Sequence, residues 1–256
     1  MIRIGTAGWG IPQASASALD STGTALQRYA SALDCVEINS SFYRPHRRTT
    51  YERWAASSPR SFRFAVKMPK AITHESRLQS VDWDVVDRFL DEVSGLGSKL
   101  GVLLLQMPKS LEYDERVVDD FLLTLRERWA GRLVCEPRHA SWFARPAERS
   151  IDRHSIGRVA ADPAVMPSAA IPRPSTATVS ASKSPLVYYR WHGSPKTYWS
   201  PYETPTLERL AMELLRYPAK TEVWCLFDNT ATGSALANAL ELKALVSARR
   251  SATGPR

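Results

Sequence analysis

Eight short runs rich in Val, Ile, Leu and aromatic residues punctuate the chain, and segments with helical spacing separate most of them. The strand-like runs are Ile2 to Thr6, Val36 to Asn39, Phe62 to Lys67, Gly101 to Gln106, Leu133 to Glu136, Arg158 to Asp162, Val187 to His192 and Val223 to Asn229. Between them, Thr24 to Leu33, Thr49 to Ser57, Val81 to Leu96, Asp114 to Trp129, Arg145 to Ile156, Glu203 to Tyr217 and Thr230 to Val246 carry apolar residues three and four positions apart, as in Trp83, Val86, Phe89, Leu90 and Val93. A helical crossover after a strand makes its neighbour parallel, so the alternation predicts an α/β protein, and eight units predict a single (β/α)8 TIM-like barrel. Pro163 to Pro185, rich in Pro, Ser, Thr and Ala, has no apolar period and is predicted to be a long loop.

Alternation within a strand also says which side chains point into the barrel. In Cys35-Val36-Glu37-Ile38-Asn39 the aliphatic residues suit the helix side, which sends Glu37 and Asn39 inward. The same parity pairs Arg190 with His192, and Glu136 with Arg138, and turns Lys67 inward at the end of its strand. Gln106, Asp162, Asp228 and Asn229 end other strands, with their facing left open. Functional groups of such barrels sit where the strands end. The predicted site therefore has Glu37, Glu136 and His192 as proton-transferring residues, with Asn39, Tyr43, Lys67, Arg138, Arg190, Asp228 and Asn229 as substrate contacts. Tyr43 enters through Phe42-Tyr43-Arg44, placed to stack on or clamp a ligand, and His74, His139 and Trp142 are rim candidates.

Lys67, Arg138 and Arg190 suit a phosphate or carboxylate, whereas a carboxylate–imidazole pair suits acid–base work. The same cations would repel a metal, and no HxH or HExxH spacing occurs, so no metal and no cofactor is expected. Phosphate-binding glycine loops and the GxSxG elbow are also missing; Gly5-Thr6-Ala7-Gly8-Trp9-Gly10 reads as a tight turn.

Length and composition change this picture little. The 256 residues match a barrel of roughly 250, and 44% hydrophobic with 23% charged residues is ordinary for a globular protein. No apolar stretch reaches the ~20 residues of a membrane span, and the opening residues enter a strand pattern without a signal-peptide layout. Cys35, Cys135 and Cys225 each fall in or beside a strand, which reads as core filling in a reducing cytoplasm. The net charge of +8 favours anionic partners, nucleic acid among them. Part of it lies in 249–256, a basic segment expected to be a disordered tail beyond a single domain over 1–248. Oligomeric state is not legible.

Several segments resemble a known family. They are Gly5-Thr6-Ala7-Gly8-Trp9, Val36-Glu37-Ile38-Asn39-Ser40-Ser41-Phe42-Tyr43-Arg44, Phe64 to His74, Leu100 to Pro108, Glu136-Pro137-Arg138-His139 with Trp142-Phe143, Tyr188 to Gly193, and Phe227-Asp228-Asn229-Thr230-Ala231 to Asn238-Ala239. Together they resemble the YecE-like family, domain of unknown function seventy-two, over nearly the whole chain. The resemblance implies a TIM barrel and assigns no reaction. A suggested likeness of such barrels to metal-dependent apurinic-site endonucleases implies a nuclease-like alternative, but the histidine-rich metal set of those enzymes is not reproduced here. Pro137, where relatives commonly carry an aromatic residue, and the Ala/Ser-rich stretch Ile11 to Thr22 depart from the family pattern. The expected function is acid–base catalysis on a small anionic substrate. The alternatives are a nucleic-acid-binding or metal-dependent phosphodiesterase-like protein, and a non-catalytic ligand binder.

Overall fold

The strands of the computed structural model, which describes residues 1–175 and 184–253, close into a parallel barrel wrapped by helices. They are β1 (Ile2–Ala7), β2 (Cys35–Ile38), β3 (Arg63–Lys67), β4 (Leu100–Gln106), β5 (Leu133–Glu136), β6 (Gly157–Arg158), β7 (Ala160–Asp162), β8 (Leu186–Trp191) and β9 (Glu222–Phe227). Their order is β6-β5-β4-β3-β2-β1-β9-β8-β7, all neighbours parallel. The expected sixth strand is thus two segments. Gly157–Arg158 pairs with β5, Ala160–Asp162 pairs with β8, and the chain switches partner at Val159 to close the ring. Nine segments therefore fill eight barrel positions, a single TIM-like barrel.

The helices are α1 (Ala25–Ala32), α2 (Ser40–Tyr43), α3 (Arg48–Ala56), α4 (Trp83–Ser94), α5 (Glu115–Arg128), α6 (Arg145–Arg153), α7 (Thr204–Leu215) and α8 (Ser234–Thr253). Local signals start them. Thr24 and Gln27 form a capping box on α1, and Asp82 and Asp114 accept from first-turn amides of α4 and α5. Val86, Phe89 and Val93 are the buried face of α4, at the spacing of a helix docked on a sheet. α8 runs past Val246 into the segment expected to be a tail, and 254–256 lie outside the described residues. Of the expected loop Pro163 to Pro185, the described parts hold a short 3-10 turn at Pro167–Ala170 and a bridge from Arg173 to Arg158; 176–183 lie outside the described residues.

Two apolar layers follow from the period of two. Val36, Ile38, Phe64, Val66, Leu103, Leu105, Val187, Tyr189, Cys225 and Phe227 face the helices, while Cys35, Ala65, Val102, Leu104, Val134, Val159, Tyr188, Trp224 and Leu226 fill the barrel. The Trp224 indole takes so much of the lower barrel that Gly101 has to be glycine: a Cβ there would sit 2.5 Å from the ring. Above this plug, at the carboxyl ends of the strands, the inward positions turn polar.

Candidate functional site

Inward positions one step beyond the apolar plug are Glu37, Lys67, Gln106, Glu136, Arg190 and Asp228, with His192 and Arg138 a further step up. The structure brings all but Arg138 into one hydrogen-bonded network, and Arg138 joins it as an ion pair at the rim. Arg190, fully buried, is its hub: Nε and Nη2 donate to the two Glu37 carboxylate oxygens at 3.0 and 2.7 Å, Nη1 donates to Glu136 Oε2 at 2.5 Å, and Nη2 also donates to Asp228 Oδ2 at 2.9 Å. Tyr188, one inward step below, donates its hydroxyl to Glu37 Oε2 at 2.8 Å.

His192 lies between two carboxylates, Nε2 3.0 Å from Glu136 Oε1 and Nδ1 3.1 Å from Asp228 Oδ2. Both contacts are attractive only if both ring nitrogens carry protons. Burial disfavours that charge, yet Glu136 overrides it and holds the His192 pKa above its ordinary value. Glu136 and Asp228 respond in kind. Burial pushes each up, but Arg190 and then His192 hold Glu136 well below the usual range, and the same two residues lower Asp228.

Lys67 is bound differently. Its ammonium donates to the neutral Gln106 Oε1 at 2.6 Å and lies 3.9 Å above the Phe42 ring. Gln106 in turn donates to both Glu136 oxygens at 3.2 Å. Burial first, and then Arg190, bring the Lys67 pKa down to about 8, and the three carboxylates only partly oppose this. A neutral amine is therefore accessible near physiological pH.

The remaining expected residues sort by parity and reach. Arg138 stands at the rim, Nε 3.7 Å from Glu136 Oε1 and Nη1 donating to the Tyr198 hydroxyl at 3.2 Å. Asn39 Nδ2 reaches Asp228 Oδ1 at 3.5 Å, while its own oxygen is buried without a partner among the described residues. Asn229 falls on the outward parity of its strand. It donates to the Ser200 carbonyl and to Asn238 at 3.0 and 2.9 Å, holding the loop after β8 against α8 instead of facing the network. Tyr43 projects into solvent, its ring edge-on to Phe42, and touches none of the ionised groups. Arg190 was expected to hold an anion, but its donors are spent on carboxylates. Trp142 is buried and donates to the Leu111 carbonyl, His139 accepts from the Ser141 amide, and His74 packs edge-on to Phe42.

Tyr188 and Tyr198 join the site without being among the residues expected there. The first follows from the parity that selected Arg190. The second arrives on a loop built from Gly193, at φ +96° and within 2.8 Å of the Ser200 carbonyl at its Cβ position, which leaves no local signal at Tyr198 itself. Its ring lies edge-on 5.6 Å from His192.

The mouth is tight. A crevice of about 10 Å³, lined by Glu136, Arg138, Ala161, Pro163 and His192 among others, reaches the network from one side. A cavity of about 330 Å³ lined by Gly8, Trp9, Ile38, Asn39 and Ser40 meets the network only through Asn39. Among the described residues no group of three or more His, Cys, Asp or Glu is arranged to hold a metal ion, and no helix is long and apolar enough to cross a membrane.

Comparison with known proteins agrees with this architecture. The model of the family described as protein of unknown function DUF72 matches residues 3–256, and the chain belongs to that family. It is 30% identical to the UPF0759 protein YecE of Escherichia coli (strain K12) over 168 residues, which cover 63% of this chain and 59% of that protein. The UPF0759 protein YunF of Bacillus subtilis (strain 168) is 29% identical over 154 residues, 57% of this chain and 54% of its own length. The matched segments thus span less than two thirds of those relatives. A DUF72 family crystal structure from Thermotoga maritima MSB8 superposes with a TM-score of 0.76 at 23% identity, covering 96% of this chain and 99% of that one. One from Enterococcus faecalis V583 gives 0.76 at 21% identity, covering 96% of each. At these identities the likeness carries the fold.

Proposed function

We propose that this DUF72-family barrel is an enzyme that performs acid–base chemistry on a small anionic substrate, a phosphate or carboxylate, at the carboxyl end of its strands. The single observation that carries this reading is Lys67: a buried amine, lowered to about 8, anchored by a neutral amide at the edge of a network of fixed charges. Perturbed titration beside a specific charge constellation is the usual mark of a functional group. In this reading Lys67 and Arg138 meet the anion, and Lys67 exchanges a proton with it. Glu136 and His192 form the charged wall against which the substrate is placed. Glu37, Asp228 and Arg190 are positioning residues, since their polar atoms are already paired. The three buried thiols suit a reducing compartment, in line with a cytoplasmic protein.

A thermal-shift screen with inorganic phosphate, phosphoglycolate, malonate and acetate tests the reading. Binding to the folded state raises its apparent stability. The expected result is a shift with at least one of these anions that disappears in Lys67→Gln and in Arg138→Gln. A shift retained in both variants contradicts the assignment.

One observation favours the nucleic-acid alternative. Trp199 is about half exposed with the Lys196 ammonium 4.3 Å above its ring, and it shares the loop after β8 with Tyr198. Exposed aromatic faces beside cations are how single strands are stacked and neutralised. That reading requires oligonucleotide binding that weakens steeply with salt and is lost in Trp199→Ala.

A further inference from the structure

A second cavity, of about 420 Å³, lies outside the barrel mouth between α2 and the residues after it, the turn that follows β3, and α4. Its volume falls within the range of small-molecule sites, roughly 300–1,000 Å³. Phe42, Tyr51 and Phe89 supply buried aromatic walls, with Pro45, Pro69 and Val85 completing the apolar lining. None of Glu37, Lys67, Glu136, Arg190, His192 or Asp228 lines it, although Phe42 belongs to both places through its contact with the Lys67 ammonium.

Two independent features point to a ligand. The first is Tyr51, whose side chain is fully buried while its hydroxyl oxygen has no hydrogen-bond partner among the described residues. Buried hydroxyls are almost always bonded, so an orphan in the wall of a cavity marks a place where a partner is missing. The neighbouring Ser41 hydroxyl is close enough to draw the phenol's pKa down a little against burial, but it donates to the Ile38 and Lys67 carbonyls at 3.0 and 2.7 Å and makes no well-formed hydrogen bond to Tyr51. Burial pushes the Tyr51 phenol well above its ordinary value, so it is a donor at any physiological pH.

The second feature is charge. Arg44 and Arg88 line the cavity from different elements, and neither guanidinium is engaged in a salt bridge or hydrogen bond among the described residues. Of the two lining carboxylates, Glu75 is paired with Lys70 at 2.8 Å, and burial raises the Glu92 carboxyl above its ordinary value although Arg88 pulls it the other way. The cavity thus has an apolar aromatic interior, one inner donor without an acceptor among the described residues, and two cations, of which Arg88 also faces Glu92.

We propose that this groove binds a small aromatic carboxylate that carries a ring oxygen. The ring packs among Phe42, Tyr51 and Phe89, the carboxylate meets Arg44 and Arg88, and the ring oxygen accepts from the Tyr51 hydroxyl. The site is separate from the barrel mouth, and its test touches no residue of the proposed active site.

Isothermal titration of the full chain with 4-hydroxyphenylacetate, phenylacetate and 4-hydroxybenzyl alcohol reads each element in turn. The wild-type protein is expected to bind 4-hydroxyphenylacetate about tenfold more tightly than phenylacetate, and Tyr51→Phe is expected to bind the two alike. Arg44→Gln with Arg88→Gln, both exposed, should weaken both acids by roughly tenfold or more and leave the alcohol unchanged. Val85→Trp, which fills the cavity, should remove binding of all three. No binding of either acid overturns the proposal, as does binding that survives Val85→Trp. Equal affinity of the alcohol and 4-hydroxyphenylacetate overturns the anionic assignment, and discrimination unchanged in Tyr51→Phe overturns the role of the orphan hydroxyl.

Discussion

Both ends of the barrel hold a buried cluster of ion pairs, and they differ in one member, the amine of Lys67. At the amino-terminal foot, Glu222 accepts from Arg3 at 2.7 Å, from Arg132, and from the Trp224 indole at 3.0 Å. Burial works against its charge, but Arg132 and then Arg3 bring its pKa down from 4.5 to about 2, so folding favours the ionised form. At the mouth, Lys67 is brought down from 10.5 to about 8, so folding disfavours its ionised form. The foot ties β1, β9 and the start of β5 together. The mouth has stabilising ion pairs of its own around Arg190 but also keeps an amine in a place where it costs stability, which is the arrangement expected of a group retained for chemistry.

Substitutions at the two ends should separate these roles. The largest effect belongs to the hub shared by the mouth. Arg190→Met leaves Glu37, Glu136 and Asp228 buried without their counter-charge and is expected to cost about 3–5 kcal/mol or to prevent folding, read by urea unfolding or soluble yield. A variant as stable as the parent would show that the network is not held by this residue.

Next comes the foot. Glu222→Gln should lower stability by about 2–3 kcal/mol while leaving any anion-induced thermal shift intact. The pH dependence has a definite sign: because the folded pKa is depressed, the Glu222 contribution is present above 4.5 and drains away as the pH falls towards 2. His192 runs the other way. Its raised pKa gives a contribution that is full below 6.5 and is lost as the pH rises through its folded value.

Lys67→Met should reverse the usual penalty of mutation. The ammonium is disfavoured in the folded state, so its removal is expected to raise stability at pH 7 by roughly 1–3 kcal/mol, with the gain shrinking between pH 8 and 10.5 as the wild-type amine becomes neutral in both states. The same variant should lose the anion response. A loss of stability at pH 7 would place Lys67 with the structural ion pairs of the foot. The smallest effect is Tyr51→Phe, expected to leave stability unchanged or raise it by up to about 1 kcal/mol, because it deletes a buried hydroxyl that has no partner among the described residues.

What the chain makes legible follows the same division between strands and everything else. A period of two is a strict rule within a strand, so Glu37, Lys67, Glu136, Arg190 and His192 could be turned to one side from the identity of their neighbours alone. Carrying the rule one residue further would also have separated Asp228, which faces the network, from Asn229, which does not. The split of the sixth strand at Val159 was not readable, because it depends on which neighbour offers free carbonyls on each side of the closing ring. Nor was the commitment of Arg190. Inward direction is a property of one strand, whereas the three carboxylates that saturate it come from β2, β5 and the end of β9. The groove around Tyr51 left no sequence signal for a related reason. Its walls come from α2, α3, α4 and the turn after β3, whose apolar residues read equally well as ordinary packing. The pattern predicts that Tyr51 is buried, but not that its hydroxyl lacks a partner.

The distinction between the two clusters rests on the state of one amine, and that state is directly measurable. Titrating the lysine side-chain NMR resonances of the full chain, with Lys67 assigned by its loss in Lys67→Met, gives the midpoint in the folded protein. A midpoint near 8 is the predicted result and would establish the mouth as a poised site. A midpoint at the ordinary 10.5 would contradict it, leaving the mouth a second structural ion cluster like the foot.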